Sequence, residues 1–503
     1  MAVQDGAEGW REALDDLASR RVASRAMGGE ERLAKHRAAG KLDARARISH
    51  LLDPGSFLEM GTLVGGEEAP SDAVVTGSGC IDGRPVMVAA EDFTVKAGTI
   101  SQAANAKRYR VADLAARDRV PLIMMLEGAG FRADGRAHTT RSPTDLIAQS
   151  RCSGRVPLIT AVLGASAGHG ALVAPMSDFT VMSRHASIFT AGPPVVYESL
   201  GETITKEDLG GPSVAVASGL IHNVADDDAA ALDLVRRYLR YFPSSAWSYP
   251  PDLDGGSDVE PRKLSELLDI IPRNGRRVYD MHDVIDVVCD RGSTFEVQPD
   301  FGRSIITSLC HLGGRPVAVI ANQPMVLAGS IDVDAADKAA HFISVADSFH
   351  IPLVFFADNP GVMPGKASES RAILRSGARM YAAQTMATVP KVQVTFRKAY
   401  GFGSMVMGMI SFDGQSAVFA LPGATMGAMS AAAMSRSKGS DADEAAQLRQ
   451  IELEASYRSA ELFGFDEMID PREVRNAAMH TLERALYRRQ SAPEPVARIG
   501  IAP

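Results

Sequence analysis

The sequence predicts an α/β protein in which one fold occurs twice in tandem, and two observations carry that expectation. The first is an internal duplication. Residues 83–130 and 314–361 align without a gap at a constant offset of 231, and 16 of the 48 positions are identical. Among the identities are Gly83 with Gly314, Ala97 with Ala328, Gly98 with Gly329, Lys107 with Lys338, Pro121 with Pro352 and Gly130 with Gly361. The second is an alternation, in both copies, of short apolar β-rich runs with segments of helical spacing. That is the pattern of strands buried on both faces with helices layered over them.

Taken in order, residues 1–47 are rich in Arg, Glu and Ala and predict a helical arm. Its Arg20, Arg21, Arg25, Arg32, Arg45 and Arg47 are interleaved with acids, which assigns them to solvated faces or a subunit contact. Residues 48–245 form the first domain. Within it 85–90, 121–126 and 158–163 read as buried strands, and 102–117, poor in β-branched residues, as a helix. The duplication extends upstream, where Asp53-Pro54-Gly55-Ser56 pairs with Asp290-Arg291-Gly292-Ser293 at an offset of 237. Downstream, Val156-Pro157 pairs with Val389-Pro390 at an offset of 233, which also sets Gly168-His169-Gly170 on Gly401-Phe402-Gly403. Residues 246–275, rich in Pro, Gly and acid, read as a linker. Residues 276–503 form the second domain, helical in pattern from 444 to 489.

Composition narrows the function. With 61 acidic and 53 basic residues the net charge is −8, which argues for solubility and against a nucleic-acid partner. The four cysteines, at 80, 152, 289 and 310, have no zinc-ligand spacing and suit a reducing, cytoplasmic setting. No apolar run approaches the ~18 residues of a membrane span, and the charged N-terminus does not read as a signal peptide. The eleven histidines form no HExxH pair, so no metal is expected, and no phosphate-binding GxxxxGK[ST] occurs.

Chemistry is expected at glycine-rich turns that directly follow strands. In the first half these are Glu127-Gly128-Ala129-Gly130 and residues 164–170; in the second, Asp358-Asn359-Pro360-Gly361 and residues 398–403. Small residues there let backbone N–H groups point outward uncovered, and two such donors aimed at one point form an oxyanion hole. The repeat therefore implies two related anion sites per chain. Residues 164–168 also fit G-x-S-x-G, the nucleophile elbow of serine hydrolases, with Ser166 as nucleophile. Against this, Ala399 occupies the equivalent position in the repeat. Lys107 and Lys338 read as structural.

These residues resemble a known family. His36 through Ile48, with Leu51-Leu52-Asp53-Pro54-Gly55-Ser56-Phe57, is similar to the opening signature of biotin-dependent acyl-CoA carboxylase β subunits, propionyl-CoA carboxylase β-like. Further matches are Gly192 to Val196, Glu207 to Gly211, Ser218-Gly219, His222, Ala321 to Pro324, Ala328-Gly329, Pro360-Gly361, Pro364-Gly365 and Arg397 to Gly401. Gly464, Asp470-Pro471 and Arg475 resemble the closing motif.

The resemblance implies two crotonase-like β–β–α spiral domains. It implies a carboxyltransferase that moves carboxylate from carboxybiotin to the α-carbon of an acyl-CoA, a step of lipid metabolism. The expected assembly is a homohexamer bound to an α subunit with biotin carboxylase and biotin carrier functions, the N domain of one chain facing the C domain of another. No Met-Lys-Met tripeptide is present, so biotin comes from the partner. Carried over by position, the oxyanion pairs are Gly128 with Ala129 and Phe402 with Gly403. Gly130, Gly168, His169, Gly361, Gly401 and Met405 are the expected substrate- and cofactor-binding positions.

Two departures from the family pattern bear on substrate. Met405 replaces an aspartate that in relatives influences acyl-chain choice, which argues for a changed acyl pocket and away from propionyl-CoA. His169 replaces a glycine beside an oxyanion turn, within reach of substrate or packed. Three other readings follow from single features: a Ser166 hydrolase, a non-catalytic scaffold and a biotin-dependent decarboxylase.

Overall fold

The computed structural model describes residues 4–132, 143–253, 258–275, 277–409, 414–487, 489 and 491–495. The chain forms two compact units that divide after Leu239.

In the first unit, a seven-stranded sheet runs in the order Leu58–Met60, Val74–Ile81, Arg84–Glu91, Leu122–Leu126, Leu158–Val162, Phe179–Ser183 and Asn223–Ala225. The first three strands are antiparallel and the rest parallel. A separate parallel ladder joins Ala165–Ala167 to Ser187–Phe189. The parallel strands are apolar throughout because both faces are covered, and every residue of Leu122–Leu126 is buried. Helix Gln102–Asp118 starts at Ser101, whose hydroxyl accepts from the N–H of Ala103 and Ala104 at 3.0 and 3.1 Å.

The second unit repeats this plan. Its main path is Phe295–Glu296, Ile305–Leu312, Arg315–Asn322, Leu353–Asn359, Lys391–Tyr400, Ala417–Ala420 and Glu467–Met468. Thr425–Gly427 pairs with the far end of Lys391–Tyr400. The tail is helical at Ala442–Leu453, Ala455–Glu461 and Val474–Leu486, broken where Glu467–Met468 joins the sheet. From the stretch expected as a linker, Leu264, Leu267 and Ile271 are buried in the second unit's core with Val284, Ile285, Val354 and Phe356.

The upstream part of the duplication has a direct physical cause. In the hairpin between Val74–Ile81 and Arg84–Glu91, Asp82 and Gly83 have φ of 49° and 76°; in its counterpart Gly313 and Gly314 have 62° and 78°. Two consecutive residues in that region define the tight turn suited to strand twist. Each turn's N–H groups point at one carboxylate. Asp53 accepts from Asp82 and Gly83 at 3.0 and 2.8 Å, and Asp290 accepts from Gly313 and Gly314 at 2.9 and 2.7 Å. Ser56 and Ser293 each accept a strand N–H at 3.0 Å. The Asp-x-Gly-Ser pattern is a hairpin clamp.

Lys107 and Lys338 are buried and structural. Lys107 Nζ donates to the carbonyls of Ser71 and Val74 at 2.8 and 2.5 Å, and Lys338 Nζ to that of Gln298 at 3.1 Å. They hold loops in which Ser71, Asp72, Ala73 and Gln298 adopt positive φ. Burial pushes both ammonium groups down to about 8.

A pH-dependent contribution arises at His282, whose ring nitrogens face Asp280 at 2.7 Å and Glu296 at 3.0 Å. Its hydrogen bond to Glu296 is the main cause that raises the imidazole to about 9. A folded-state value above the unfolded one gives stability present below about 6.5 and lost as pH climbs through about 9. The urea midpoint gap between the native chain and His282→Gln should therefore be widest near pH ~6 and close toward pH ~10. A constant gap overturns the assignment.

Candidate active site

In the first unit, two turns follow neighbouring parallel strands. Leu122–Leu126 runs into Glu127, Gly128, Ala129 and Gly130; Leu158–Val162 runs through Ala165–Ala167 into Gly168, His169 and Gly170. Gly130 and Gly168 have φ of 84° and 58°, which a side chain would strain. A methyl group on Gly130 would lie 3.9 Å from Gly168 Cα, so the two turns abut.

The turns are braced to each other and to the loop before helix Gln102–Asp118. Ala129 N–H donates to the Ala97 carbonyl and Ala167 N–H to the Gly128 carbonyl, both at 3.0 Å. The first of these bonds removes Ala129 from the expected donor pair, because its N–H is already used. Its repeat counterpart, Pro360, has no N–H at all. The backbone geometry that does recur is that of His169 and Gly170 with Phe402 and Gly403. Both pairs lie in the first turn of a short helix, Gly168–Ala171 and Gly401–Val406, opened by a glycine at φ 58° and 55°. First-turn N–H groups have no acceptor within their helix.

Beneath the first unit's turns lie two buried charge networks. Glu127 accepts from Lys41 Nζ and Arg47 at 2.6 Å each, with His36 Nε2 at 3.5 Å. Burial raises its carboxyl, but Arg47 and Lys41 outweigh burial and hold it below the usual range. Arg47, fully buried, also donates to Asp228 at 2.9 Å and to the Leu163 carbonyl at 3.1 Å. Arg45 pairs with Glu59 at 2.8 Å through both guanidinium ends. These two arginines are therefore not on a solvated face, and segment 36–48 is wrapped around Glu127.

The second network runs Glu91, Arg108, Asp145, His169. Arg108 reaches Glu91 and Asp145 at 2.6 Å each, and Asp145 accepts from His169 Nε2. Glu91 also accepts the Glu127 N–H at 2.8 Å, which ties both networks to the first turn. Burial opposes ionisation of Asp145, yet Arg108 and His169 bring it down to about 2.

In the second unit, Asp358 takes the place of Glu127 and Asn322 that of Glu91. Asp358 accepts from Arg397 Nε at 2.7 Å and the Tyr279 hydroxyl at 3.0 Å, with Lys398 Nζ at 3.8 Å. Asn322 Oδ1 accepts the Asp358 N–H at 3.1 Å, as Glu91 does for Glu127. Gly361, at φ 125°, accepts from Ile331 N–H at 3.1 Å, the counterpart of the 2.8 Å bond from Ile100 to Gly130. Phe402 seats its ring on Gly377 and 6.1 Å from the Tyr381 ring. The Met405 carbonyl accepts from Gln384 Nε2 at 3.2 Å, and its side chain is half-buried.

Ser166 is buried, with its hydroxyl 3.5 Å from the Gly164 carbonyl. The neighbouring His169 is turned onto Asp145, so no nucleophile–base pair forms.

A cavity of about 1040 Å³ opens beside the first unit's turns, where it meets Ala97, Glu127 and Ala165. Arg32, Lys35, Lys96 and Lys206 line it together with Glu30, Glu31, Glu67 and Glu68, so its walls carry both signs of charge. One wall is the arm, tied down by Gly28 N–H on Thr94 Oγ1 at 3.1 Å and Arg32 on the Thr94 carbonyl at 3.3 Å. No sequence pattern marks this cavity, since these cations are interleaved with acids and lie far apart in the chain.

Residues 35–498 match the model of the carboxyl transferase domain. The propionyl-CoA carboxylase carboxyltransferase subunit of Haloferax mediterranei is 36% identical, over 96% of this chain and 97% of that one. The methylmalonyl-CoA decarboxylase subunit alpha of Veillonella parvula is also 36% identical, over 96% and 97%. Among solved structures, the transcarboxylase 12S hexamer, with methylmalonyl-coenzyme A and methylmalonic acid bound, superposes with a TM-score of 0.88 at 34% identity, covering 97% of this chain and 98% of that one. The two units thus have the crotonase-like carboxyltransferase fold, and the class they define is a carboxyltransferase component of biotin-dependent enzymes. The chain belongs to the carboxyl transferase family.

Proposed function

We propose that this chain transfers a carboxyl group between carboxybiotin, presented by a biotin carrier subunit, and the α-carbon of an acyl-CoA. The recurrence of one backbone donor turn in both units carries the reading. Charge develops on two oxygens in this reaction, the thioester oxygen and the ureido oxygen, and each needs preorganised donors.

The first unit's turn fits the thioester, with the N–H groups of His169 and Gly170 as donors. The cavity beside it is large enough for a coenzyme A tail, and Lys35 and Lys206 on its mixed-charge walls would meet the phosphates. The second unit's turn fits the ureido ring, with the N–H groups of Phe402 and Gly403 as donors. Gly403 packs so closely on Asn359 and Gly361 that a methyl there would collide with both, which holds the donor turn rigid. Carboxybiotin, when bound, supplies the carboxyl group and a basic nitrogen. This chain's residues hold the two oxygens, keep water out and align the α-carbon. Phe402 and Met405 present apolar surface, which supports an acyl group other than propionyl.

The reading includes a biotin carboxylase partner; it also includes a homohexamer, the assembly that the transcarboxylase 12S structure shows for that protein. Carboxylase and decarboxylase relatives are both 36% identical to the chain, and the reading covers transfer in either direction.

Tagged protein drawn from its native extract should bring down a streptavidin-reactive subunit, and the complex should fix labelled bicarbonate on an acyl-CoA. Labelling of Ser166 by a fluorophosphonate, without carboxyl transfer, would overturn the reading. Lys35→Ala with Lys206→Ala is expected to raise KM for acyl-CoA about tenfold, some ~1.4 kcal/mol of binding, with a smaller change in kcat. An unchanged KM would place the coenzyme elsewhere.

A further inference from the structure

The two turns match in backbone and differ in what stands behind them. In the second unit Phe402 packs on Gly377, and Ala339 stands where Arg108 stands in the first. In the first unit a buried chain of charge, Glu91–Arg108–Asp145, ends on the ring of His169. Burying charge costs free energy that an apolar ring would not, as the second unit demonstrates. The oxyanion turn itself does not need the imidazole, because its donors are backbone groups.

The hydrogen bond selects the tautomer of that ring. A carboxylate only accepts, so Nε2 carries the proton that Asp145 receives, and in the neutral ring Nδ1 holds the lone pair. Nδ1 is the ring nitrogen nearer the backbone, never more than one side chain's reach from the amide of the same residue. A thioester oxygen held by His169 N–H would put its α-carbon, two bonds away, next to the residue that carries Nδ1. The side chain is 24% exposed, so the ring is not sealed.

We propose that His169 is a general base for the α-proton of acyl-CoA, so that this chain enolises its substrate without biotin. The inference rests on the reading that this turn holds the thioester. The α-C–H bond breaks and its electron pair forms the enolate double bond, while the carbonyl π pair moves onto the thioester oxygen. The proton goes to the Nδ1 lone pair. Asp145, kept ionised by Arg108, stabilises the imidazolium that results. Return of a proton, or of a deuteron after exchange with solvent, regenerates the thioester.

The test is α-deuterium uptake by acetyl-CoA and butyryl-CoA in D2O, followed by mass spectrometry, with the purified full chain and no biotinylated partner. The native chain should catalyse exchange. His169→Gln, which retains the backbone donor and an amide for Asp145, should lose it by at least about 100-fold while still binding acyl-CoA in calorimetry. His169→Phe, the second unit's residue, serves as an independent variant should the first fail to fold. If the native chain binds acyl-CoA and supports biotin-dependent transfer yet shows no exchange above buffer, the inference is wrong and the function stands. Exchange that persists in either variant also overturns it. Failure of both binding and transfer in the native chain removes the proposed function and this inference together.

Discussion

Gly403→Ala is expected to cut carboxyl transfer by about 10²–10³-fold while the oligomeric state and acyl-CoA binding stay as in the native protein. The added methyl would collide with Asn359 Oδ1 and lie 2.7 Å from Gly361 Cα, both parts of the adjoining turn. Backbone cannot yield as a flexible side chain can, so the helix start must tilt and carry the N–H groups of Phe402 and Gly403 off target. The cost in stability should stay near the ~1–3 kcal/mol of ordinary overpacking. Two further variants calibrate the result. A methyl on Gly170, the counterpart in the first unit, meets Glu91 Oε1 at 3.0 Å and Ile100 Cδ1 at 3.4 Å, both side-chain atoms, so Gly170→Ala should do less harm. A methyl on Gly275 meets nothing within 4 Å, and Gly275→Ala should be silent. Turnover, sedimentation and acyl-CoA calorimetry on the three proteins check the series. Full activity in Gly403→Ala would mean that the second unit's turn does not contact a reacting oxygen.

What could be read before the structure, and what could not, divides along a physical line. Local chemistry repeated in both halves was legible. The buried strands and the recurrence of Gly83 with Gly314 and of the Asp-x-Gly-Ser pattern could be read from the duplication, though the hairpin and its carboxylate clamp appear only in the structure. The role of Ala129 was not legible, because a glycine turn after a strand looks the same whether its N–H faces substrate or the Ala97 carbonyl. Only Pro360 in the repeat hinted at the difference. The arm misleads for another reason. An interleaved run of Arg and Glu is the usual mark of a solvated helix, and Arg47 differs only in having Glu127 and Asp228 beside it, residues far along the chain. The His169–Asp145 pair has the same character: no spacing rule joins those positions, and burial is what gives the pairing its strength.

Arg47→Met should cost about 3–5 kcal/mol, a large part of a domain's usual stability. The substitution leaves the stem packed but strips the guanidinium from two carboxylates, Glu127 and Asp228, that are both about 99% buried. Glu127 keeps Lys41, and Asp228 keeps the Leu42 N–H at 3.1 Å, so neither is abandoned. The loss should appear as a lowered urea midpoint with an unchanged slope. Arg45→Met should cost far less, because the Arg45 side chain is 22% exposed and water can replace part of its pairing with Glu59. If the penalty is uncompensated negative charge, Arg47→Met combined with Asp228→Asn should be more stable than Arg47→Met alone. If the penalty is lost packing, the second change should add to it. The sign of that coupling separates the two causes, and it bears on function as well. Glu127 opens the turn that braces the proposed thioester site, so a variant that restores stability without restoring the Arg47–Glu127 bond should still transfer carboxyl groups poorly.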